Sequence, residues 1–195
     1  MPAVLGSIDC THVAISRPPV DRPEIYRNRN GCFSINVQAV CGPALQFCNI
    51  ISRWHGSAHD SYILSQSRLL QELEGGLYRG YLLGDSGYPC RTYLLTPILN
   101  PINAQERRYN TAHIKTRNPI ERAFGVLKRR FSILGQHVQT EVDTTNVMVT
   151  LAAILPNIAI KQNVPMPEDA QDGHFGAIAG DPEDPDDPRP CVVLT

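Results

Sequence analysis

Three acidic residues occupy positions from which they could carry out metal-assisted chemistry. Asp9 follows the apolar start of the first predicted strand, in GSIDCTH, and Asp85 follows the fourth, in YLLGDSGYP. Glu121 lies near the start of a predicted basic helix, in RNPIERAFGVLKRRF. Carboxylates on strand ends and a covering helix can converge, and such oxygen-rich clusters are the ligands that Mg²⁺ or Mn²⁺ takes. This arrangement would suit phosphodiester hydrolysis, in which two metals activate water and stabilise the leaving oxygen.

Each acid also has a purely structural interpretation. Asp9 and Asp85 suit turns that follow strands, and Glu121 could form a capping box with Asn118 at a helix N-cap. Asp60, in GSAHDS, is either a helix cap or an outer residue that supports the metal ligands without binding the metal. The histidines of the first strands lack metal-ligand spacing, so we expect structural or surface roles for them and no zinc site.

A basic run surrounds Glu121. Between residues 107 and 130 Glu121 is the only acid, among eight Lys and Arg residues. A charge run is usually a solvated face, but around a candidate catalytic acid it favours contacts with phosphate. Such contacts give affinity without base specificity. We expect the DNA-binding residues to be Arg122, Lys128, Arg129 and Arg130.

The pattern of apolar residues predicts the elements that must position these groups. Strands are expected over 7–16, 32–41 and 45–54; the second alternates as a half-buried strand does. A helix over 59–74 and a strand over 81–84 follow. Asn118 and Pro119 then open a second helix, and a third over 143–160 should be kinked or interrupted at Pro156. This order favours an α/β fold, a mixed five-stranded sheet flanked by helices.

Charge divides the 195-residue chain into two regions. Residues 1–163 hold 17 of the 18 Lys and Arg and 11 of the 19 Asp and Glu, a net charge of +6. Residues 164–195 carry the other eight acids and one Arg, a net charge of −7. We expect one domain over 1–163 that favours a polyanion, and a disordered acidic, Pro-rich tail over 164–195 that weakly screens its DNA face. No stretch approaches about 18 unbroken apolar residues, so we expect no membrane span.

Several linked motifs together resemble one known family. GSIDCTHV, YRNRNGCFSINVQAVC, WHGSAHDS, LLGDSGYP, LLTP and RNPIERAFGVLKRRF follow in this order over residues 6–160. They resemble the nuclease domain of PIF/Harbinger transposases and the Harbinger transposase-derived nucleases of the DDE superfamily. Cys10 and Pro156 stand where the family usually has Gly and His, and the family's helix-turn-helix region is expected to be absent because only eight residues precede Asp9.

The resemblance implies an RNase H-like fold and a catalytic, metal-binding triad of Asp9, Asp85 and Glu121, with separations of 76 and 36 residues. It implies a Mg²⁺- or Mn²⁺-dependent endonuclease that acts on DNA in the nucleus, with the cytoplasm as a second location. A separate DNA-binding protein is the expected partner, and the oligomeric state is not predicted. The alternative is a catalytically silent module that keeps the fold for binding DNA or protein.

Overall fold

A five-stranded mixed sheet forms the centre of the fold in a computed structural model that describes residues 1–164. Along the chain the strands are β1 Val4–Ala14, β2 Ser34–Cys41, β3 Phe47–His55, β4 Tyr81–Leu83 and β5 Leu94–Leu95. Their order in the sheet is β3-β2-β1-β4-β5. The β1–β4 and β4–β5 pairs are parallel, and Ser7 of β1 is paired with Leu83 of β4. The predicted α/β fold with a mixed five-stranded sheet is therefore confirmed.

Strand β2 is more deeply buried than its alternating sequence predicts. All eight of its residues are buried, so it is covered on both faces, not half-buried. Its polar side chains are tolerated because they are hydrogen-bonded. Asn36 Nδ2 donates to the Ala58 carbonyl at 2.9 Å, and Gln38 Nε2 donates to the Asp60 carbonyl at 3.0 Å.

The helix expected over 59–74 is two short helices, α1 Asp60–Ser65 and α2 Arg68–Glu74. Ser67 separates them because its hydroxyl accepts a hydrogen bond from the Leu70 amide at 3.1 Å, as an N-cap. The predicted C-terminal end is confirmed, since α2 ends at the glycine pair and Gly76 has a φ of +70°.

Helix α3 Ala104–Arg130 begins far earlier than its sequence indicates. The prediction that Asn118 caps a helix and Pro119 opens it is wrong, because both lie inside these 27 residues. Asn103 caps its N-terminus, because the Asn103 Oδ1 accepts from the Glu106 amide at 2.8 Å. Glu106 in turn accepts from Asn103 Nδ2 at 2.8 Å and from the Ile102 amide at 2.7 Å.

Helix α4 Val142–Lys161 confirms the last predicted helix and continues through Pro156 without interruption. Within the described residues it is the one helix long and apolar enough to cross a membrane. A helix in the core of a soluble protein can satisfy the same criterion, so length and composition alone assign no span.

The described chain forms two compact units. The first comprises Met1–Cys10, Gln38–Ile50 and His59–Ala123, and its core contains Ile8, Val40, Leu64, Leu69, Leu73, Leu82, Tyr88 and Leu94. The second comprises Thr11–Val37, Ile51–Ala58 and the chain from Phe124, and its buried residues include Val13, Ile35, Leu127, Val138 and Val149. The predicted tail lies outside the described residues, apart from Val164.

Candidate metal centre

The pairing of two parallel strands brings Asp9 and Asp85 together. Ser7 on β1 is paired with Leu83 on β4, so Asp9 and Asp85 each come two residues further along neighbouring chains that run in the same direction. The two carboxylates are held by different local bonds. Asp9 Oδ1 accepts from the Cys10 amide at 2.8 Å, and Asp85 Oδ1 accepts from the Gly87 amide at 2.9 Å.

Asp60 is the third acid of this cluster. It is the first residue of α1, and one carboxylate oxygen from each of Asp9, Asp60 and Asp85 lies within 4.8 Å of the other two. Three half-buried carboxylates at this separation fit a hard divalent cation, because metal–oxygen distances of about 2.0 to 2.6 Å can span the gaps between them. The structure therefore brings Asp60 into the cluster itself, whereas the sequence leaves it open between a helix cap and an outer residue that supports the metal ligands.

Glu121 is connected to the cluster through an arginine. Arg117 NH1 donates to Asp9 Oδ2 at 2.6 Å, and Arg117 NH2 donates to Glu121 Oε1. Arg117 and Glu121 are four residues apart on α3, so their side chains lie on the same helix face. Glu121 thus lies on the helix face that meets Asp9. Its carboxylate is bound by Arg117, and the cluster of three aspartates does not include Glu121. The capping-box interpretation of Glu121 is wrong, since Asn118 is not a helix terminus.

Burial sets the protonation of Asp9. Burial raises the pKa of this carboxyl from an ordinary value of 3.8 to about 6. The Arg117 guanidinium and the Cys10 amide lower the pKa, but their combined effect is smaller than that of burial. The negative charge of Asp85 adds a smaller increase. Loss of hydration is therefore the main source of the raised pKa, and repulsion between neighbouring acids is secondary.

A buried polar network connects the backbone segments that carry Asp9 and Asp60. Gln38 Nε2 donates to the Tyr88 hydroxyl at 2.9 Å as well as to the Asp60 carbonyl, and the same hydroxyl lies 3.4 Å from Cys10 Sγ. These bonds connect the backbone of Asp60 to the residue that follows Asp9. Burial raises the pKa of Tyr88 well above its usual range, so its hydroxyl stays neutral in this network.

Sequence patterns missed two residues of this arrangement, Arg117 and Gln38. Arg117 could have been found from its position four residues before Glu121, the spacing at which opposite charges pair on a helix. The signal for Gln38 is a large amide between the apolar residues Val37 and Ala39 of a predicted strand, because an amide that becomes buried there needs hydrogen-bond partners.

The predicted DNA-contacting residues are placed in different environments. Arg122 and Arg129 are exposed, and Arg130 is half-buried. Lys128 is only 2% exposed, and its ammonium donates to the His12 carbonyl at 2.9 Å. Burial lowers the pKa of Lys128 to about 8. A buried ammonium that is bonded to a backbone carbonyl is not placed to bind phosphate, so the structure does not support Lys128 as a DNA contact.

Comparisons with known proteins point to one family. A family model described as DDE superfamily endonuclease matches residues 8–157. The chain is 34% identical over 168 residues to "Putative nuclease HARBI1" of Homo sapiens, covering 84% of this chain and 48% of that protein. It is 29% identical over 150 residues to "Protein ALP1-like" of Arabidopsis thaliana, covering 69% of this chain and 37% of that protein. The chain thus spans about half or less of the length of these relatives, and no solved structure matches it.

Proposed function

The chain belongs to the DDE superfamily endonucleases, in the branch of the Harbinger-derived nucleases, and on this premise we propose that it hydrolyses phosphodiester bonds in DNA with Mg²⁺ or Mn²⁺. The observation that carries the proposal is the convergence of the Asp9, Asp60 and Asp85 carboxylates. Neighbouring acids without a bound cation repel one another, so their gathering in a half-buried position favours a cation site over three acids with unrelated structural roles.

Asp9 and Asp85 would hold the metal, with Asp60 as a third carboxylate. A bound divalent ion in such a site supplies a nucleophilic hydroxide and stabilises the negative charge that develops on the leaving oxygen. Glu121 would complete the predicted triad from the helix side. Its carboxylate is 46% exposed, so it is open to solvent beside Asp9.

Arg117 would keep the acidic residues in position. Its guanidinium neutralises part of the charge on Asp9 and Glu121 and holds α3 against β1 at this point. A fork of two donors suits this role better than a single ammonium, since one guanidinium can bind two carboxylates at once.

Exposed basic side chains on α3 would bind the DNA backbone. Arg108, Lys115 and Arg122 are all exposed and are spaced seven residues apart, so they lie on one helix face at intervals of about 10.5 Å. Arg129 continues the same spacing and is also exposed. Phosphate contacts of this kind would position DNA without reading its sequence. Since the proposed substrate is DNA, we also propose that the protein acts in the nucleus, with a separate protein supplying sequence recognition.

One observation favours the alternative, a silent binding module. Arg117 binds one carboxylate oxygen of Asp9 and one of Glu121, and an internal cation in this position could replace a metal. A module of this kind would bind DNA through the basic face of α3 and would leave it uncut.

A nicking assay on supercoiled DNA with Mg²⁺ or Mn²⁺ distinguishes the two functions. We expect the wild-type protein to nick and Asp85→Ala to lose activity by at least 100-fold, because one ligand of the proposed centre is removed. Asp21→Ala, which removes an exposed acid of the second unit, should nick as the wild type does. DNA binding by the wild type without nicking in either metal would establish the silent module instead.

A further inference from the structure

Helix α4 exposes an ordered row of large apolar side chains. Val147, Leu151, Ile154 and Ile158 are between 46% and 58% exposed, and Leu155 beside them is 49% exposed. The opposite face is buried in the second unit, through Thr145, Val149, Ala152, Ala153 and Pro156. The helix is therefore apolar on both sides, and only one side is covered by the described chain.

The spacing of this exposed row matches helix-to-helix packing. Its four residues follow one another at intervals of four, three and four, the a and d spacing of a heptad repeat. We call Val147, Leu151, Ile154 and Ile158 the α4 stripe. Scattered exposed apolar residues are ordinary on protein surfaces, but a continuous row at this spacing is typical of a surface that another helix covers.

The ends of the α4 stripe carry opposite charges. Asp143 lies four residues before Val147, in the first turn of α4, and Lys161 lies three residues after Ile158, in the last turn. Both are exposed, and the helix spacing puts them on the same face as the stripe. The surface thus runs from an acid through four apolar side chains to a base.

Two such surfaces are complementary when the two helices run in opposite directions, because the acid of each then lies beside the base of the other. Two antiparallel copies centred between residues 152 and 153 would place Leu151 opposite Ile154, and Val147 opposite Ile158. Asp143 of each copy would then lie beside Lys161 of the other. A parallel pair would instead bring like charges together and align the two helix dipoles unfavourably.

We propose that the α4 stripe is a dimer contact, in which α4 of a second copy of this chain packs antiparallel against it. The interface is isologous, so each contact occurs twice about a two-fold axis. The stripe extends about 16 Å, from Val147 to Ile158 at 1.5 Å per residue. We expect so short a contact to give a dimer that dissociates on dilution, with a dissociation constant of about 1 to 100 μM.

Sedimentation velocity of the full chain over a range of concentrations tests this contact. The wild type should pass from monomer to dimer as its concentration rises through this range, and Leu151→Glu should stay monomeric because it places two charges at the centre of the interface. The matched control is Ile133→Glu, since Ile133 is an apolar residue of the same unit that is 43% exposed but lies outside α4. The control should dimerise as the wild type does. Circular dichroism confirms that each variant is folded.

A charge exchange tests the antiparallel order. Asp143→Lys and Lys161→Asp should each raise the dimer dissociation constant by about 3- to 10-fold at low salt, and the double variant should restore it, because only the antiparallel pair brings these two positions together. A wild type that is monomeric at every concentration overturns the proposal, as does a dimer that Leu151→Glu leaves intact. Binding of the wild-type monomer, but not Leu151→Glu, to vesicles of phosphatidylcholine and phosphatidylserine also overturns it and assigns the stripe to a membrane surface.

Discussion

At the scale of single residues, sequence and structure agree best for the two acids that neighbouring strands carry. Asp85 comes just after β4, whereas Asp9 lies within β1 and not at its end, so the turn interpretation of Asp9 is wrong. The parallel pairing of β1 and β4 still brings the two carboxylates together. The role of Asp60 could not be predicted in this way, because an acid at the start of a helix is equally suited to capping. Arg117 was missed because its two partners, Asp9 and Glu121, are 108 and 4 residues away, and only the fold shows that one guanidinium reaches both.

The protonation of Asp9 leads to a prediction about stability and pH. Its folded pKa of about 6 lies above the ordinary 3.8, so between about pH 4 and pH 6 the folded state keeps a proton that the unfolded state has lost. This carboxyl therefore lowers the free energy of unfolding as pH rises through that window, by about 2 to 3 kcal/mol in all, and its effect is constant above it. Asp9→Asn should remove that decline.

Urea unfolding at several pH values between 4 and 7, in buffer with a metal chelator, measures the effect. Relative to the wild type, Asp9→Asn should gain stability as pH rises from 4 to 6. Glu141→Gln, which neutralises an exposed acid outside the cluster, is the control and should parallel the wild type. If the wild type and Asp9→Asn decline equally with pH, the carboxyl of Asp9 is not the source.

At the scale of elements, periodicity located four of the five strands and the last helix, but neither the short β5 nor the true start of α3. Alternation in 32–41 located β2 correctly but misjudged the exposure of its polar face. Two buried amides whose nitrogens donate to backbone carbonyls have the same sequence pattern as polar residues that face solvent. Asn118 and Pro119 resemble a helix start, yet α3 continues through both. Its residues from Ile120 to Leu127 include five buried apolar side chains, and this packing outweighs the backbone hydrogen bond that Pro119 cannot donate.

The two asparagines of α3 give a matched test of where the helix begins. Asn103→Ala should lower the free energy of unfolding by about 1 kcal/mol, because it removes the side-chain acceptor for the Glu106 amide. Asn118→Ala should leave stability unchanged or raise it by up to about 0.5 kcal/mol, since alanine has the higher propensity inside a helix. Urea denaturation of the two variants decides the matter. A larger loss at Asn118 than at Asn103 would restore a helix start at Asn118.

At the scale of the whole molecule, composition predicts the net charge directly, but the fold decides which charged side chains reach solvent. The net charge of +6 over 1–163 and the basic run around Glu121 are properties of the sequence alone. The sequence cannot show which of these cations reach solvent, because helix spacing allows both faces of α3 to carry them. The fold exposes Arg122 and buries Lys128, although the two are only six residues apart.

This difference in exposure predicts how DNA affinity depends on salt. If the exposed face of α3 binds phosphate, Arg122→Ala should weaken binding to unrelated duplexes by about the same factor and reduce the slope of log affinity against log salt by about one unit. Lys128→Met keeps the length of the buried side chain and removes its charge, so it should leave that slope unchanged. Fluorescence anisotropy with two duplexes of different sequence, between 50 and 200 mM salt, measures both quantities. Loss of a full unit of slope in Lys128→Met but not in Arg122→Ala would place the DNA on another face of the molecule.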